Sequence, residues 1–368
     1  MIILFFFYIF FFKIINTKNY NIKLEANLNK NHNNEEEKQN IIHFIKCGHG
    51  DSILVEGKGH FGLIDSANPV TKNSLFDNAN SVLIVLNYLK ELKVKKLDFI
   101  IGTHAHSDHI GGIKEICDEY IDNTTIYYYK KLNLTFNLDK YINYRDYLNA
   151  IDSIKRKNAT LVDVTNKKIK FHLGEIMLIL LNTYNYNNYN HIILDENQNS
   201  IVTLIKYNNI NIVLPGDMTN EYKIISHFGD INILKFPHHG VGDIRLQNLI
   251  KLKPAHIIIS SDHIFQKTFK LMEYMKNKYK SKIYLLKDIK QTAIKLYLKS
   301  NNVQIYYFDK NDTTKIILNN KFTILIFSIL LFSISMKCLL LKLNDNSKKW
   351  KIFLFCINLI YLKGKMIR

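Results

Sequence analysis

Residues 103–112 read Thr-His-Ala-His-Ser-Asp-His-Ile-Gly-Gly, so His104, His106, Asp108 and His109 fall within six consecutive positions. Imidazole and carboxylate groups at this density suit a divalent cation, zinc foremost, with iron or manganese also served by such donors. The run is too dense for the face of an ordinary helix. His104 and His106 would point one way off an extended loop, while Asp108 and His109 would wrap round a second ion. Two ions held side by side make a hydrolase site. The elements that position the donors are legible on either side. Leu97-Asp98-Phe99-Ile100-Ile101 is a buried-strand pattern, Gly102-Thr103 a turn, and Gly111-Gly112 the start of a helix that approaches closely.

Further out, residues 81–92 carry apolar side chains at helical spacing, and residues 93–96 follow as a lysine-rich turn. Residues 148–157 predict a helix and 168–181 a pair of strands. The segment 120–195 is rich in tyrosine: Tyr127, Tyr128, Tyr129, Tyr141, Tyr144, Tyr147 and the run 184–189. In hydrolases with such a site, a segment inserted here builds one wall of the substrate cleft, and aromatic faces there would suit a quaternary ammonium group.

The chain has 368 residues, 47% of them hydrophobic, enough for one core of about 250 residues with appendages. A formal net charge of +18 favours anionic partners such as phosphates, nucleic acid or acidic lipid. Asparagine, isoleucine and tyrosine are abundant too, so much of the lysine is expected to be solvated surface. Cys47, Cys117, Cys338 and Cys356 form no Cys-x-x-Cys pair, and no disulfide framework or thiolate zinc site is readable.

Residues 1–16 are apolar apart from Lys13 and read as a signal peptide or signal anchor, although no Lys or Arg precedes the apolar stretch. Residues 17–40 are a polar linker. The run 322–341 has the length of a transmembrane helix, and Lys342, Lys348, Lys349 and Lys351 behind it place the C-terminal flank in the cytoplasm. Residues 342–368 form a basic and apolar tail, in which the apolar run 352–362 is shorter than a spanning helix. The expected location is therefore a membrane, with the catalytic domain on its extracytoplasmic or lumenal side.

The decamer resembles the His-x-His-x-Asp-His signature of the metallo-β-lactamase superfamily. Other stretches resemble its landmarks in order: the strand-turn-strand at 41–55, Gly62-Leu63-Ile64-Asp65-Ser66, Ile212-Val213-Leu214-Pro215-Gly216-Asp217, and Leu234-Lys235-Phe236-Pro237-His238-His239-Gly240. The resemblance implies an α/β fold of four αββα layers over 41–310, here with a membrane-associated C-terminal tail. It also implies two divalent metal ions. His104 and His106 would bind the first, Asp108 and His109 the second, and Asp217 would bridge them. One of His238 and His239, with His239 favoured, would complete the second set, and the other would touch substrate. Asp108, His239 and His238 are the residues expected to carry the chemistry. Asp65, His238, Asn197 and Ser200 would support the ligands from behind.

One departure matters. Many members carry a further histidine ahead of the bridging aspartate, where this chain reads Asp195-Glu196-Asn197-Gln198-Asn199-Ser200. Glu196 falls closest to the place, and His191 lies upstream. The Asn and Ser pattern together with His-His-Gly resembles two branches, the phosphorylcholine esterases and the hydrolase domain of DNA-uptake competence proteins, with the former favoured. Either implies a phosphodiester substrate. The alternatives are a nuclease acting on DNA or RNA and, in another class, a metal-free scaffold or binding module. A β-lactamase proper would want the missing histidine.

Overall fold

Apolar residues alternate with period two along the strands, which sends neighbouring side chains into different cores. The computed structural model describes residues 39–70, 81–132, 144–183, 195–218, 230–241, 246–299, 302–309 and 312–317. β1 (Asn40–Ile45), β2 (Ile53–Gly57) and β3 (His60–Ile64) form an antiparallel meander. α1 (Ser81–Glu91) then leads to β4 (Phe99–Ile101), which pairs parallel to β3. The short α2 (Ser107–Ile110) and α3 (Ile113–Tyr120) return to β5 (Ile126–Tyr129), and α4 (Tyr144–Arg156) returns to β6 (Thr160–Asp163), both strands parallel.

The second half repeats the logic. β7 (Ile169–Leu173), β8 (Ile176–Leu181), β9 (Val202–Tyr207) and β10 (Ile210–Leu214) are antiparallel neighbours. β11 (Ile233–Lys235), β12 (His256–Ile259) and β13 (Lys282–Leu285) continue the sheet in parallel, with α5 (Leu246–Leu252) and α6 (Gln266–Tyr279) as crossovers. β14 (Ala293–Lys299) returns to pair with β1, and β15 (Asn302–Asp309) and β16 (Asp312–Ile317) extend that edge. The strand orders are β16-β15-β14-β1-β2-β3-β4-β5-β6 and β13-β12-β11-β10-β9-β8-β7.

Three buried clusters stack these pieces as helices, sheet, sheet, helices. Ile42, Phe44, Ile64 and Ile101 of the first sheet meet Leu178, Ile205, Ile212 and Ile258 of the second. On the outer face of the first sheet, Leu54, Leu63 and Ile100 pack on Val85, Ile116 and Ile151 of the helices. On the outer face of the second, Leu204, Leu234 and Ile257 pack on Leu249, Met272 and Met275. Each such fully buried aliphatic side chain stabilises by about 1.5–3 kcal/mol. The strands β4 and β11 are buried along their whole length, as expected of parallel strands covered on both faces.

The expected helix at 81–92 and the strand pair at 168–181 match α1, β7 and β8. The sheet runs past the expected boundary at 310, to Ile317. The tyrosine wall is corrected. Tyr127 and Tyr128 are buried in β5, Tyr128 stacks on Phe171 between the sheets, and Tyr147 is buried in α4 beside Tyr129. These rings belong to the interior because β5 is a covered parallel strand. Tyr141 and the run 184–189 lie outside the described residues, as do the segments 1–16, 17–38, 322–341 and 342–368. Among the described residues no helix is long and apolar enough to cross a membrane.

Candidate metal centre

The donors leave the C-terminal ends of neighbouring strands in both sheets. β3 ends in Asp65, β4 in the 103–109 loop, β10 in Asp217, and β11 in His238 and His239. Crevices at such strand ends are the natural ligand sites of α/β sheets. Asp108 and His109 lie on the single turn of α2 rather than on an extended loop. Asp217 follows Gly216, whose φ of +58° suits a residue without a side chain, and a Cβ there would stand 3.1 Å from Ser200 and Thr103. Asp65, Ala67, His238 and His239 all have φ between +48° and +63°. Such non-glycine residues cost about 1–3 kcal/mol each and collect at functional sites.

Two donor groups converge on Asp217. In the larger, His109 Nε2 lies 3.1 Å from His239 Nε2, 3.2 Å from Asp217 Oδ2 and 3.8 Å from Asp108 Oδ2. His239 Nε2 lies 3.3 Å from Asp108 Oδ2 and 3.4 Å from Asp217 Oδ1. In the smaller, His104 Nε2 is 3.1 Å from His106 Nδ1 and 3.9 Å from Asp217 Oδ2. Donors on a tetrahedral ion with bonds of about 2.0–2.2 Å stand roughly 3.3–3.6 Å apart, close to these separations. Asp217 Oδ1 is buried and makes no hydrogen bond, with His239 Nε2 and the Lys235 ammonium standing 3.4 and 3.7 Å away, and a bound divalent ion would satisfy it. The residues therefore fit divalent ions.

The far nitrogens of the imidazoles are also occupied. His109 Nδ1 donates to Asp65 Oδ2 at 2.7 Å, and Thr103 fixes that carboxylate through its amide and hydroxyl, both at 2.8 Å. His104 Nδ1 lies 3.2 Å from Ser200 Oγ, which also accepts the Asp217 amide at 3.1 Å. His239 Nδ1 donates to the Ser260 carbonyl at 2.9 Å. Such contacts fix the tautomer and aim Nε2 at the centre.

Electrostatics follow burial and charge. Burial opposes ionisation of Asp217, but His109 and His239 outweigh it and hold the carboxyl well below its usual range. Burial likewise opposes protonation of His239, yet Asp217 raises it to about 9. His109 is held well above its usual range by Asp217 and Asp65 against burial. His104 is pushed well below it, by burial and then by His109 and His106.

His238 takes no part in the larger group. Its side chain is 26% exposed and its Nε2 lies 3.8 Å from Asp217 Oδ2, so it lines the open side of the centre. Asn197 lies three residues ahead of Ser200. Its amide donates to Asp195 and its carbonyl accepts from Ser200, while its side-chain oxygen is buried without a hydrogen bond. It shapes the 3-10 turn Glu196–Asn199 that delivers Ser200. Glu196 accepts from Asn199 at 3.2 Å, and the buried Lys130 binds the Asn199 carbonyl and side chain at 2.8 and 2.9 Å. His191 lies outside the described residues.

Four participants were missed in the sequence. Asp51, His49, Lys235 and Ser260 all lie at the centre. Asp51 groups with His109, Asp217 and His239, and His49 with Asp108 and His239. The His49 ring packs 4.6 Å from that of His239. Asp51, however, stands 3.9 Å from His109 Nδ1 and 3.6 Å from His239 Nδ1, behind the rings whose Nε2 atoms face the ion. A lysine ending the apolar strand Ile233-Leu234-Lys235 was the available signal.

Among curated proteins none matches the chain. Among solved structures it is similar to the metallo-beta-lactamase fold protein YhfI from Bacillus subtilis, at 11% identity and a TM-score of 0.45, covering 70% of this chain and 100% of that one. It is similar to a diphosphatase of the PhnP family at 14% identity and a TM-score of 0.39, covering 68% and 85%. It is also similar to the metallo-beta-lactamase GOB-18 from Elizabethkingia meningoseptica at 16% identity and a TM-score of 0.31, covering 72% and 98%. Residues 45–175, which hold the decamer, match the model of the metallo-beta-lactamase superfamily.

Proposed function

We propose that the protein is a metal-dependent hydrolase of phosphodiesters. The observation that carries the reading is the pair of donor groups sharing the buried Asp217, with facing atoms 3.1–3.9 Å apart. His104, His106 and Asp217 would hold one divalent ion; Asp108, His109, His239 and Asp217 would hold the other. Such ions, when bound, supply Lewis acidity and lower the pKa of water toward neutrality.

The chain's own residues do the rest. Asp65 and the Ser260 carbonyl accept hydrogen bonds from Nδ1 of His109 and His239, so that each Nε2 would face a bound ion once its proton is displaced. His238, half-buried beside Asp217, is placed to donate a hydrogen bond to a substrate oxygen. His104, His106 and Asp217 offer three donors, which would leave a place on that ion for an anionic oxygen. The net charge of +18 favours a phosphate-bearing substrate. With Tyr127, Tyr128 and Tyr147 in the interior, aromatic recognition of a choline group has no support from the described tyrosines, and the reading rests at the phosphodiester class. The apolar run 322–341 would hold the enzyme at a membrane.

The test is a hydrolysis panel on the full-length, metal-loaded protein: bis-p-nitrophenyl phosphate, p-nitrophenyl phosphorylcholine, single-stranded DNA, RNA and a β-lactam. Turnover of the phosphodiesters that stops on chelation is expected. Rapid degradation of DNA or RNA with little turnover of the small esters selects the nuclease. Turnover of the β-lactam alone contradicts the proposal.

A further inference from the structure

Lys235 is an unusual residue for its place. It ends β11 between Leu234 and Phe236, and its side chain is fully buried. Its ammonium contacts the Asp51 carboxylate, donates to the Gly216 carbonyl at 3.2 Å and lies 3.7 Å from Asp217 Oδ1. A buried ammonium this near the shared carboxylate competes with any cation that Asp217 is to hold. Asp51 answers that competition. It is itself buried, and its other oxygen accepts from Ser260 Oγ at 2.5 Å, so it is held in place from the far side. Although it groups with His109, Asp217 and His239, its oxygens face Nδ1 of the imidazoles rather than Nε2 and are engaged by Lys235 and Ser260.

We infer that Asp51 is a positioning residue: it sequesters the Lys235 ammonium, so that Lys235 anchors the Gly216 turn while Asp217 stays free to face two cations. The inference rests on the metal-centre reading above. Removing one member of a buried ion pair leaves the other charge to find a new partner. In Asp51→Asn the nearest carboxylate for Lys235 is Asp217, and the ammonium then blocks it. In the double variant Asp51→Asn/Lys235→Met no ammonium remains to do so.

The experiment is a Co2+ titration of the full-length protein, read by visible absorption and by metal content, with metal-free melting of each variant to report stability separately. Asp51→Asn is expected to bind Co2+ about 10- to 100-fold more weakly, the usual range for residues behind the ligands. Lys235→Met alone, and the double variant, should both bind more tightly than Asp51→Asn. Ser260→Ala keeps both charges and should weaken binding in the same direction by a smaller factor, which keeps the inference testable where Asp51→Asn does not fold. A purely structural pair would shift melting and leave Co2+ affinity unchanged in every folded variant, and that result overturns the inference. So does a double variant that binds no better than Asp51→Asn. Failure of the unsubstituted chain to bind Co2+ overturns the metal reading itself, and this inference with it.

Discussion

The two donor groups differ in what stands behind them. In the larger, His109 is backed by the carboxylate of Asp65 and His239 by a backbone carbonyl, and both imidazoles are wholly buried. In the smaller, His104 is backed by the hydroxyls of Ser200 and Thr103 at 3.2 and 3.1 Å, and His106 is only half-buried. A carboxylate behind an imidazole raises its basicity and fixes its ring more firmly than a hydroxyl does. On the proposed reading the larger group would hold its ion more tightly and the smaller would be the more accessible, so that one ion could stay put while substrate approaches the other.

The largest effect should separate the pockets outright. His109→Ala is expected to release the tightly held ion and cut hydrolysis by about 10²–10³-fold or more, the scale for losing a preorganised electrostatic element. His106→Ala should cost similar rate while leaving the tight ion bound. Metal content beside turnover checks this, and equal loss of both ions in the two variants would break the asymmetry.

The adjacent histidines sharpen the comparison next. His239→Ala should lower metal content, whereas His238→Ala should keep the ions and lose rate, by about 10²-fold for one positioned hydrogen-bond donor. Full rate with full metal in His238→Ala would remove it from the chemistry.

A smaller contrast concerns the backing groups. Asp65→Asn should weaken the tight pocket by about 10- to 100-fold, and Ser200→Ala should weaken only the open one, by less. Isothermal titration with Zn2+ resolves the two; identical effects on both pockets would show that the backing does not set the order.

The gentlest probe is pH. The folded-state values of His109 and His239 lie above the ordinary 6.5, that of His239 at about 9. A raised value stabilises the metal-free fold fully below pH 6.5, and the contribution fades as pH climbs through the folded value. Relative to a His239→Gln variant, metal-free melting temperature should therefore fall between about pH 6.5 and 9, the comparison cancelling the opposite contribution of the buried Lys130, which is held down to about 7. Ion affinity should rise over the same window, since binding displaces those protons. A relative melting temperature that rises across this window would contradict the assigned charges.

What the sequence revealed follows from how each feature is encoded. The decamer is contiguous, so its donors could be recognised together, and Asp65 could be placed because it ends a short apolar strand. Helix α1 and the β7-β8 pair were legible from periodicity alone. Asp51 and Lys235 come from opposite halves of the chain and meet only when the two sheets pack, so no local pattern joins them. Tyrosine abundance was misleading, because composition does not distinguish a ring in a cleft from one beneath a covered strand, as with Tyr128 on Phe171. Ser200 reaches His104, while Asn197, three residues earlier, sits in the turn that delivers it.

A centre of two ions sharing Asp217 underlies the proposed chemistry, and metal content tests it most directly. Full-length protein loaded with Zn2+ and freed of excess should retain about two ions per chain. The Asp217→Ala variant, with its fold verified by circular dichroism, should retain fewer than one. Two ions per chain in Asp217→Ala, or none in the unsubstituted protein, would contradict the shared centre.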